Sequence, residues 1–94
     1  MKITYDLKKN AANMAKHGVS FEDAYEFDYA DFAGCQYKID RRRDYGEVRW
    51  IATGYLHNRL HVLCYVEKFN GIRAISFRKA NERERKKYEK RSVH

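Results

Sequence analysis

The sequence is short of several features that mark particular classes of protein. It has no proline and two cysteines, Cys35 and Cys64, which are too far apart to form a C-x-x-C pair. No apolar stretch approaches the roughly 20 residues of a membrane-spanning helix. The start of the chain also lacks the apolar segment of a secretory signal. We therefore expect a cytoplasmic protein that has no membrane partner and keeps its thiols reduced.

Pairs of ligands for a metal ion are also lacking. His57 and His61 have i,i+4 spacing, but they flank a predicted turn and no second pair of ligands accompanies them. Cys64 lies in an apolar run, where burial as a small hydrophobic residue is more typical than catalysis. The sequence therefore predicts neither a metal nor any other cofactor.

The composition fits one folded, basic domain. A length of 94 residues predicts a single domain over residues 1–94. Hydrophobic residues make up 44% and aromatic residues 15%, which argues against disorder. Lys and Arg outnumber Asp and Glu by 20 to 13, and the net charge of +7 attracts polyanions. Composition alone leaves nucleic acid and an acidic protein as equal candidates for the partner.

The first part of the chain reads as a short strand followed by two helices. Residues 2–5 alternate polar and apolar, Asp6 can cap a helix, and Gly18 can end it. Ser20 and Asp23 have the spacing of a capping box for a second short helix. The predicted core face of the first helix consists of Leu7, Ala11, Met14 and Ala15. That of the second helix consists of Phe21, Ala24, Tyr25 and Phe27.

From Gly34 onward the pattern predicts strands. The four predicted strands cover residues 35–39, 48–55, 60–67 and 72–78. Asn58 can take the positive φ of a tight turn, and Asn70-Gly71 is a strong hairpin signal. The connections are too short for parallel crossovers, so we expect an antiparallel meander.

The last segment predicts a basic helix. Asn81 and Glu84 form an N-x-x-E helix start, and residues 79–91 carry seven basic residues against three acidic ones. Tyr88 is almost the only large apolar side chain of this helix, and we expect it to dock the helix onto the sheet. A helix with so little core face is either solvated or held by a partner. An exposed strand edge would be a second partner surface.

Three stretches together resemble a known family. The first is Tyr5-Asp6 with Lys9, Asn13 and the run from Lys16 to Ala24. The second is Asp40 to Arg49, similar to the pattern D-x-R-x-x-Y-G-E-x-R. The third is Ile75 to Ala80 followed by Glu84 and Tyr88, similar to I-S-A-R-K-A-x-x-x-E-x-x-x-Y. In this order and at this spacing, they resemble the BrnT toxins of type II toxin–antitoxin systems.

The resemblance implies a fold, an activity and partners. The implied fold is α+β and RelE/ParE-like: an antiparallel sheet in the order β-α-α-β-β-β-β-α, with helices packed on one face. The implied activity is endoribonuclease cleavage of RNA that blocks translation. The implied partner is a BrnA-like antitoxin with a ribbon-helix-helix domain. A toxin–antitoxin hetero-oligomer would then reach operator DNA only through the antitoxin.

Metal-free RNA cleavage by attack of the ribose 2′-hydroxyl needs cations near phosphorus, and arginine suits that role. Arg49 and Arg78 are the first candidates. Strand parity places Arg49 on the face of its strand opposite Trp50. Arg78 would share a face with Ile72, Ala74 and Ser76. Both faces of that strand are apolar, so parity does not decide which of them is the core face. The expected RNA-binding residues are Lys79, Arg42, Arg43, Tyr45 and Arg73.

The candidates for proton transfer are Glu47, His61, Tyr65 and Glu67. Histidine titrates near neutrality, whereas a carboxylate would need a raised pKa. His61, Tyr65 and Glu67 share a strand parity that points away from Val62 and Cys64. Glu47 could instead form an ion pair that orients Arg49.

Structural roles compete with several of these assignments. The run Arg41-Arg42-Arg43 is typical of a solvated turn, and Tyr45 could pack at that turn rather than stack on a base. Trp50, Tyr37 and Phe77 are more typical of a core than of base platforms. Two other functions stay open: a non-enzymatic toxin that inhibits a protein such as gyrase, and a non-catalytic nucleic-acid-binding module.

Overall fold

The computed structural model describes residues 2–27 and 36–92. These residues form five strands, two α-helices and one 3-10 helix. In chain order they are β1 (Lys2–Thr4), α1 (Leu7–His17), the 3-10 helix (Phe21–Glu26), β2 (Gln36–Ile39), β3 (Trp50–Leu56), β4 (Arg59–Lys68), β5 (Gly71–Lys79) and α2 (Glu82–Ser92). The predicted α+β class is confirmed, and each predicted strand boundary lies within two residues of the observed one. The expected start of the second strand at Cys35 lies outside the described residues.

The sheet has the strand order β1-β5-β4-β3-β2. Strands β2 to β5 form the expected antiparallel meander. Strand β1, however, pairs in parallel with β5, with Ile3 opposite Ile72. The expectation of a wholly antiparallel sheet is therefore wrong, because a long connection that includes helices and three strands can return the chain in either direction.

Two tight turns shape the meander, and the first depends on residues that take a positive φ. His57 and Asn58 have φ values of 48° and 65°, as a type I′ hairpin turn requires. At the other turn, β4 ends at Lys68 and β5 begins at Gly71, so Phe69 and Asn70 form the connection. A Cβ on Gly71 would lie 1.8 Å from the carbonyl oxygen of Lys2. This glycine is therefore needed for the close approach of β1 rather than for the turn itself.

The ends of α1 follow the sequence signals. The side chain of Asp6 accepts a hydrogen bond from the N–H of Lys9 at 3.0 Å, and Gly18 takes a φ of 70° while its N–H donates to Met14 O at 2.8 Å. Ser20 and Asp23 form the predicted capping box, although the helix they begin is a 3-10 helix. Capping groups therefore fix both helix starts.

The face of α1 that packs against the protein is not the predicted one. Leu7 is 78% exposed and Met14 is 50% exposed, whereas Asn13 is buried. Asn13 Nδ2 donates to Phe77 O at 2.8 Å, and its Oδ1 accepts from Phe77 N at 3.1 Å. Strand β1 pairs with β5 only up to Arg73, so Asn13 supplies hydrogen bonds to the strand edge beyond it. The backbone N–H and C=O groups of a strand edge need hydrogen-bond partners. This need, rather than the apolar periodicity, decides which side of α1 faces the sheet.

The main core lies between one sheet face, called here the core face, and the segment from Val19 to Phe27. The sheet contributes Ala52, Leu56, Leu63, Tyr65, Ile72, Ala74 and Phe77, with Trp50 packed against them. Val19, Phe21, Ala24 and Phe27 cover these side chains. Tyr25, expected in the core, is instead 50% exposed, and its hydroxyl accepts the N–H of Ile3 at 3.0 Å.

Helix α2 lies on the opposite face of the sheet. Tyr88 is buried, and its ring packs edge-on against Tyr55 at 5.7 Å between centroids. Tyr55 alternates with the core residues Ala52 and Leu56, which places it on the other side of β3. The docking role of Tyr88 is thus confirmed. The expectation that all helices pack on one face is wrong, because the basic α2 packs through one tyrosine and an ion pair rather than through an apolar stripe.

Candidate RNA-binding site

A cavity of about 370 Å³ lies between α2 and the sheet face opposite the core face. We call that face the pocket face. The cavity floor consists of short or apolar side chains from β3, β4 and β5: Ile51, Thr53, Val62, Cys64 and Ser76. Longer side chains form its walls: Tyr37, Lys38, Arg42, Arg78, Glu84 and Lys87. Strands, the β2–β3 connection and α2 therefore build the cavity together.

Positive charge dominates the cavity walls. Lys38, Arg42, Arg78 and Lys87 are basic, and Glu84 is the one acidic residue among the described residues that line the cavity. Within residues 2–27 and 36–92, no carboxylate forms an ion pair with Lys38 or Lys87. Arg42 and Arg78 are thus held by carboxylates, whereas the charge of Lys38 acts on Glu84 without an ion pair. Such an arrangement suits the phosphates of a nucleic acid.

Arg78 is held across the cavity by α2. Its Nη1 and Nη2 donate to the two carboxylate oxygens of Glu84 at 2.7 and 2.8 Å. Glu84 also closes the predicted capping box, since Asn81 N donates to its Oε1 at 2.9 Å and Glu84 N donates to Asn81 Oδ1 at 2.8 Å. The hydrogen bonds from Arg78 lower the pKa of Glu84, and those to Glu84 raise the pKa of Arg78. Both groups are therefore charged at neutral pH, and the guanidinium is fixed in direction.

A β-bulge decides which way Arg78 points. Cys64 pairs with Ser76 but Tyr65 pairs with Ala74, so Ile75 has no partner on β4. The extra residue reverses the alternation along β5. Arg78 therefore shares the pocket face with Ser76, and the expectation that it also shares a face with Ile72 and Ala74 is wrong.

Arg42 is held by a carboxylate that sequence reasoning did not single out. Arg42 Nε and Nη2 donate to Asp40 Oδ1 and Oδ2 at 2.8 and 2.7 Å, and the hydroxyl of Tyr45 donates to Oδ2 at 3.0 Å. The Asp40 side chain is fully buried, while that of Arg42 is 73% exposed. The bonds from Arg42 hold the pKa of Asp40 well below its usual range despite burial. The one sequence signal for this pair was the D-x-R spacing of Asp40 and Arg42.

A second ionic cluster lies beside the pocket. Arg73 Nη2 donates to both oxygens of Glu47 at 2.9 and 2.7 Å, and Arg49 Nε donates to Glu47 Oε2 at 3.4 Å. The Arg49 guanidinium lies 4.0 Å from the centroid of the Tyr45 ring. Burial opposes ionisation of Glu47, but the charge of Arg73 and the bonds from both arginines outweigh it, so its pKa is lowered.

This cluster is joined to the pocket without forming its wall. Tyr45 contacts Arg49 through its ring and Asp40 through its hydroxyl, which links Arg49 to the Arg42 side of the cavity. Glu47 forms the ion pair with Arg49 that was weighed against a role in proton transfer, and a shorter one with Arg73. The guanidinium of Arg43 also lies over Tyr45, at 5.1 Å from its centroid. Tyr45 is therefore packed among arginines rather than presented as an open platform.

The structure does not bring His61, Tyr65 or Lys79 to the pocket. Tyr65 belongs to the core cluster. His61 is buried against Phe77, with 5.5 Å between ring centroids, and its Nδ1 lies 2.8 Å from Arg59 O. Burial lowers the pKa of His61. Lys79 is exposed and pairs with His61 across the sheet.

Strand parity predicted the wrong sheet face for the side chains of β4, because every residue from Leu60 to Val66 is buried. A central strand covered on both faces carries no alternation that marks its core side. Glu67 is exposed at the far end of this strand. Tyr37, expected in the core, lies opposite Ala52 on the edge strand β2 but is 36% exposed and also lines the cavity, whereas Phe77 and Trp50 pack as expected.

The described part of the chain offers neither a cluster of metal ligands nor a membrane-spanning helix. Residues 2–27 and 36–92 contain no group of three or more His, Cys, Asp or Glu side chains placed to hold a metal ion. In the same residues, no helix is both long enough and apolar enough to cross a membrane.

Comparison with known proteins identifies the family. No curated protein matches the chain. A family model described as the ribonuclease toxin BrnT of type II toxin–antitoxin systems matches residues 5–84. That span contains α1, the 3-10 helix, β2 to β5 and the start of α2, and with them most of the residues that line the pocket. The chain therefore belongs to the BrnT family of ribonuclease toxins of type II toxin–antitoxin systems.

Proposed function

We propose that this chain is an endoribonuclease that cleaves RNA in the basic cavity between the pocket face and α2. The observation that carries the proposal is the convergence of Lys38, Arg42, Arg78 and Lys87 around one cavity in a member of a ribonuclease family. Cleavage of RNA in the cytoplasm would block translation. The β2–β5 meander, with helices preceding it, supports a RelE/ParE-like fold for this activity.

The proposed reaction is attack of a ribose 2′-hydroxyl on the adjacent phosphorus. The new P–O bond forms as the bond to the 5′-oxygen breaks. The 2′-hydroxyl gives up its proton to water and the 5′-oxygen takes one up from water, which leaves a 2′,3′-cyclic phosphate and a free 5′-hydroxyl. Negative charge builds on the phosphate oxygens during this step. Cations that are fixed in place before the reaction stabilise that charge at little reorganisation cost.

Arg78 and Arg42 are the proposed stabilising groups. Glu84 orients the guanidinium of Arg78, and Asp40 orients that of Arg42. Little side-chain conformational entropy is therefore lost when phosphate binds. Lys38 and Lys87 are proposed to neutralise phosphate within the cavity. Arg49, in the neighbouring cluster, is proposed to bind the strand as it leaves the cavity.

Electrostatic stabilisation is proposed to contribute more than proton transfer. Glu84 is the acidic residue among the described residues that line the cavity, and its lowered pKa makes it a weak base. The four cations of the cavity supply positive charge of the kind that a metal ion supplies in other nucleases. We therefore propose a metal-independent reaction.

The family implies an antitoxin as the second partner. We propose that it is a BrnA-like protein with a ribbon-helix-helix domain, and that operator DNA is bound by the toxin–antitoxin complex rather than by this chain alone.

The test is cleavage of a defined RNA by the purified chain in the presence of a chelator. We expect products that end in 2′,3′-cyclic phosphate. Arg78→Ala should lower the rate by about 10²–10³, the usual cost of losing one stabilising donor. Arg85→Ala is the matched control, because Arg85 is also paired with a glutamate of α2 but is absent from the cavity wall. Intact RNA, or equal rates for the two variants, would contradict the proposal.

A further inference from the structure

The floor of the cavity is apolar at its centre, although cations dominate its walls. Ile51, Val62 and Cys64 line the cavity from two adjacent strands. Ile51 pairs with Cys64, and Val62 lies two residues before Cys64 on β4, so the three side chains are neighbours on the pocket face. We call them the apolar floor. The described side chains of α2 that line the cavity, Glu84 and Lys87, are both polar, so they leave the apolar floor without an apolar cover from that helix.

Strand pairing places a cation on each side of the apolar floor. Arg78 is the partner of Val62 on β5, and Lys38 is the partner of Ile51 on β2. Neighbouring strands lie about 4.8 Å apart, so each cation starts one strand spacing from the floor. The Arg78 guanidinium keeps its direction through its bonds to Glu84. A phosphate bound at Arg78 would therefore have the apolar floor directly beside it.

Two hydroxyl groups border the apolar floor. Thr53 is the partner of Val62 on β3, and Ser76 is the partner of Cys64 on β5. Within residues 2–27 and 36–92, neither hydroxyl forms a hydrogen bond with another residue or is buried without one. Both are therefore open to the cavity that they line. A hydroxyl both donates and accepts, so each can bond to the polar edge of a ligand that lies on the floor.

We propose that the apolar floor binds one unpaired base of the RNA while Arg78 holds an adjacent phosphate. RNA as the ligand rests on the proposed function, whereas the seat for the base comes from the chemistry of the cavity floor. A nucleotide joins a flat, largely apolar base face to an anionic phosphate, and the floor and the cation beside it match those two parts. A volume of about 370 Å³ suits one nucleotide rather than several.

Two other arrangements of RNA fit the cavity less well. The sugar–phosphate backbone alone would pair with the cations but would leave Val62 and Cys64 facing water. A base inside a duplex has its faces stacked and its edge paired, so it has no face left for the floor. An unpaired base covers the floor and presents its edge to the hydroxyls of Thr53 and Ser76. The cavity therefore selects a single-stranded segment of RNA.

The test compares two short strands that carry the same number of phosphates. Both have fluorine in place of every 2′-hydroxyl, so the proposed reaction cannot cleave them. One strand has its bases, and in the other each base is replaced by hydrogen. Binding of each strand to the purified chain is followed by the fluorescence anisotropy of a dye at the strand end. We expect the strand without bases to bind at least about tenfold more weakly, the usual scale for one base contact, and equal affinities would overturn the proposal.

A variant that fills the floor gives a second test. Ser76→Phe places a ring beside Cys64 and leaves every charged side chain of the cavity in place. Thr4→Phe is the control, because Thr4 is exposed on β1 and does not line the cavity. We expect Ser76→Phe to bind the two strands with similar affinity and the control to keep the full difference. A full difference in Ser76→Phe would place the base elsewhere and overturn the proposal.

The binding comparison does not depend on cleavage. Intact RNA in the cleavage assay would refute the proposed function, while the two fluorinated strands would still decide whether a base occupies the floor. The comparison on the unmodified chain also decides this if Ser76→Phe fails to fold, which urea unfolding followed by the fluorescence of Trp50 would show.

Discussion

The replacement Asn13→Ala should destabilise the fold more than its single small side chain suggests. Asn13 Nδ2 donates to Val19 O and to Phe77 O at 2.8 Å each, and Oδ1 accepts from Phe77 N at 3.1 Å. Each hydrogen bond contributes about 1 kcal/mol net, and the backbone groups left behind are buried. Alanine recovers up to about 0.6 kcal/mol through its higher helix propensity. We therefore expect the free energy of unfolding to fall by about 2–3 kcal/mol.

Urea unfolding, followed by the fluorescence of Trp50, measures this loss. Met14→Ala is the control, because Met14 is the next residue of α1 but is half exposed, and it should lose less than about 1 kcal/mol. At about 4–8 °C per kcal/mol for a domain of this size, the Tm of the Asn13 variant should fall by roughly 8–24 °C. If the two variants unfold at the same urea concentration, Asn13 does not hold α1 to the sheet edge and the reasoning fails.

Three further predictions concern stability. Gly71→Ala should destabilise the chain by roughly 1–3 kcal/mol in urea unfolding, since its Cβ would lie 1.8 Å from Lys2 O; an unchanged midpoint would refute the close approach of β1. The lowered pKa of Asp40 stabilises the fold above the unfolded pKa of about 4. That stability should be lost as the pH falls through the pKa of Asp40 in the folded state. In urea unfolding, Asp40→Asn should lack this loss of stability at low pH. The lowered pKa of His61 acts in the same direction at higher pH, because here too the unfolded state binds the proton more readily. The free energy of unfolding should therefore fall as the pH drops below about 6.5. If the free energy of unfolding of His61→Gln falls with pH as much as that of the unmodified chain, His61 is not the cause.

Features that depend on neighbouring residues could be predicted from the sequence. The caps at Asp6, Gly18 and Ser20 need only groups within three or four residues, and they occur where predicted. The turn at Asn58 and the meander also follow from local turn chemistry and short connections. The predicted strand positions are therefore close to the observed ones.

Features that depend on distant partners could not be predicted in the same way. The exposed face of α1 follows from the free edge of β5, which exists because β1 stops at Thr4. The direction of Arg78 follows from a bulge opposite Cys64 and Tyr65, for which the sequence carries no turn residue. The buried sides of β4 are alike in hydrophobicity, so His61 and Tyr65 were placed on the wrong face.

The candidate site was predicted in part. Arg78 and Arg42 line the cavity, and Arg73, Glu47, Arg49 and Tyr45 form the cluster beside it. Lys38, Lys87, Glu84 and Asp40 were missed as site residues. Lysines on a basic surface carry no individual signal, and a carboxylate that orients an arginine is recognised only once its hydrogen bonds are seen.

The central claim is that RNA is bound and cleaved in the cavity on the pocket face. It is tested by comparing two double variants that each remove two positive charges, Lys38→Gln/Lys87→Gln in the cavity and Lys8→Gln/Lys16→Gln on α1. Both lower the long-range attraction for RNA equally, so only the location of the charges differs. The account predicts that the initial cleavage rate of one defined RNA falls by roughly 100-fold for the cavity variant and by less than about threefold for the α1 variant. Equal losses, or a larger loss for the α1 variant, would contradict it.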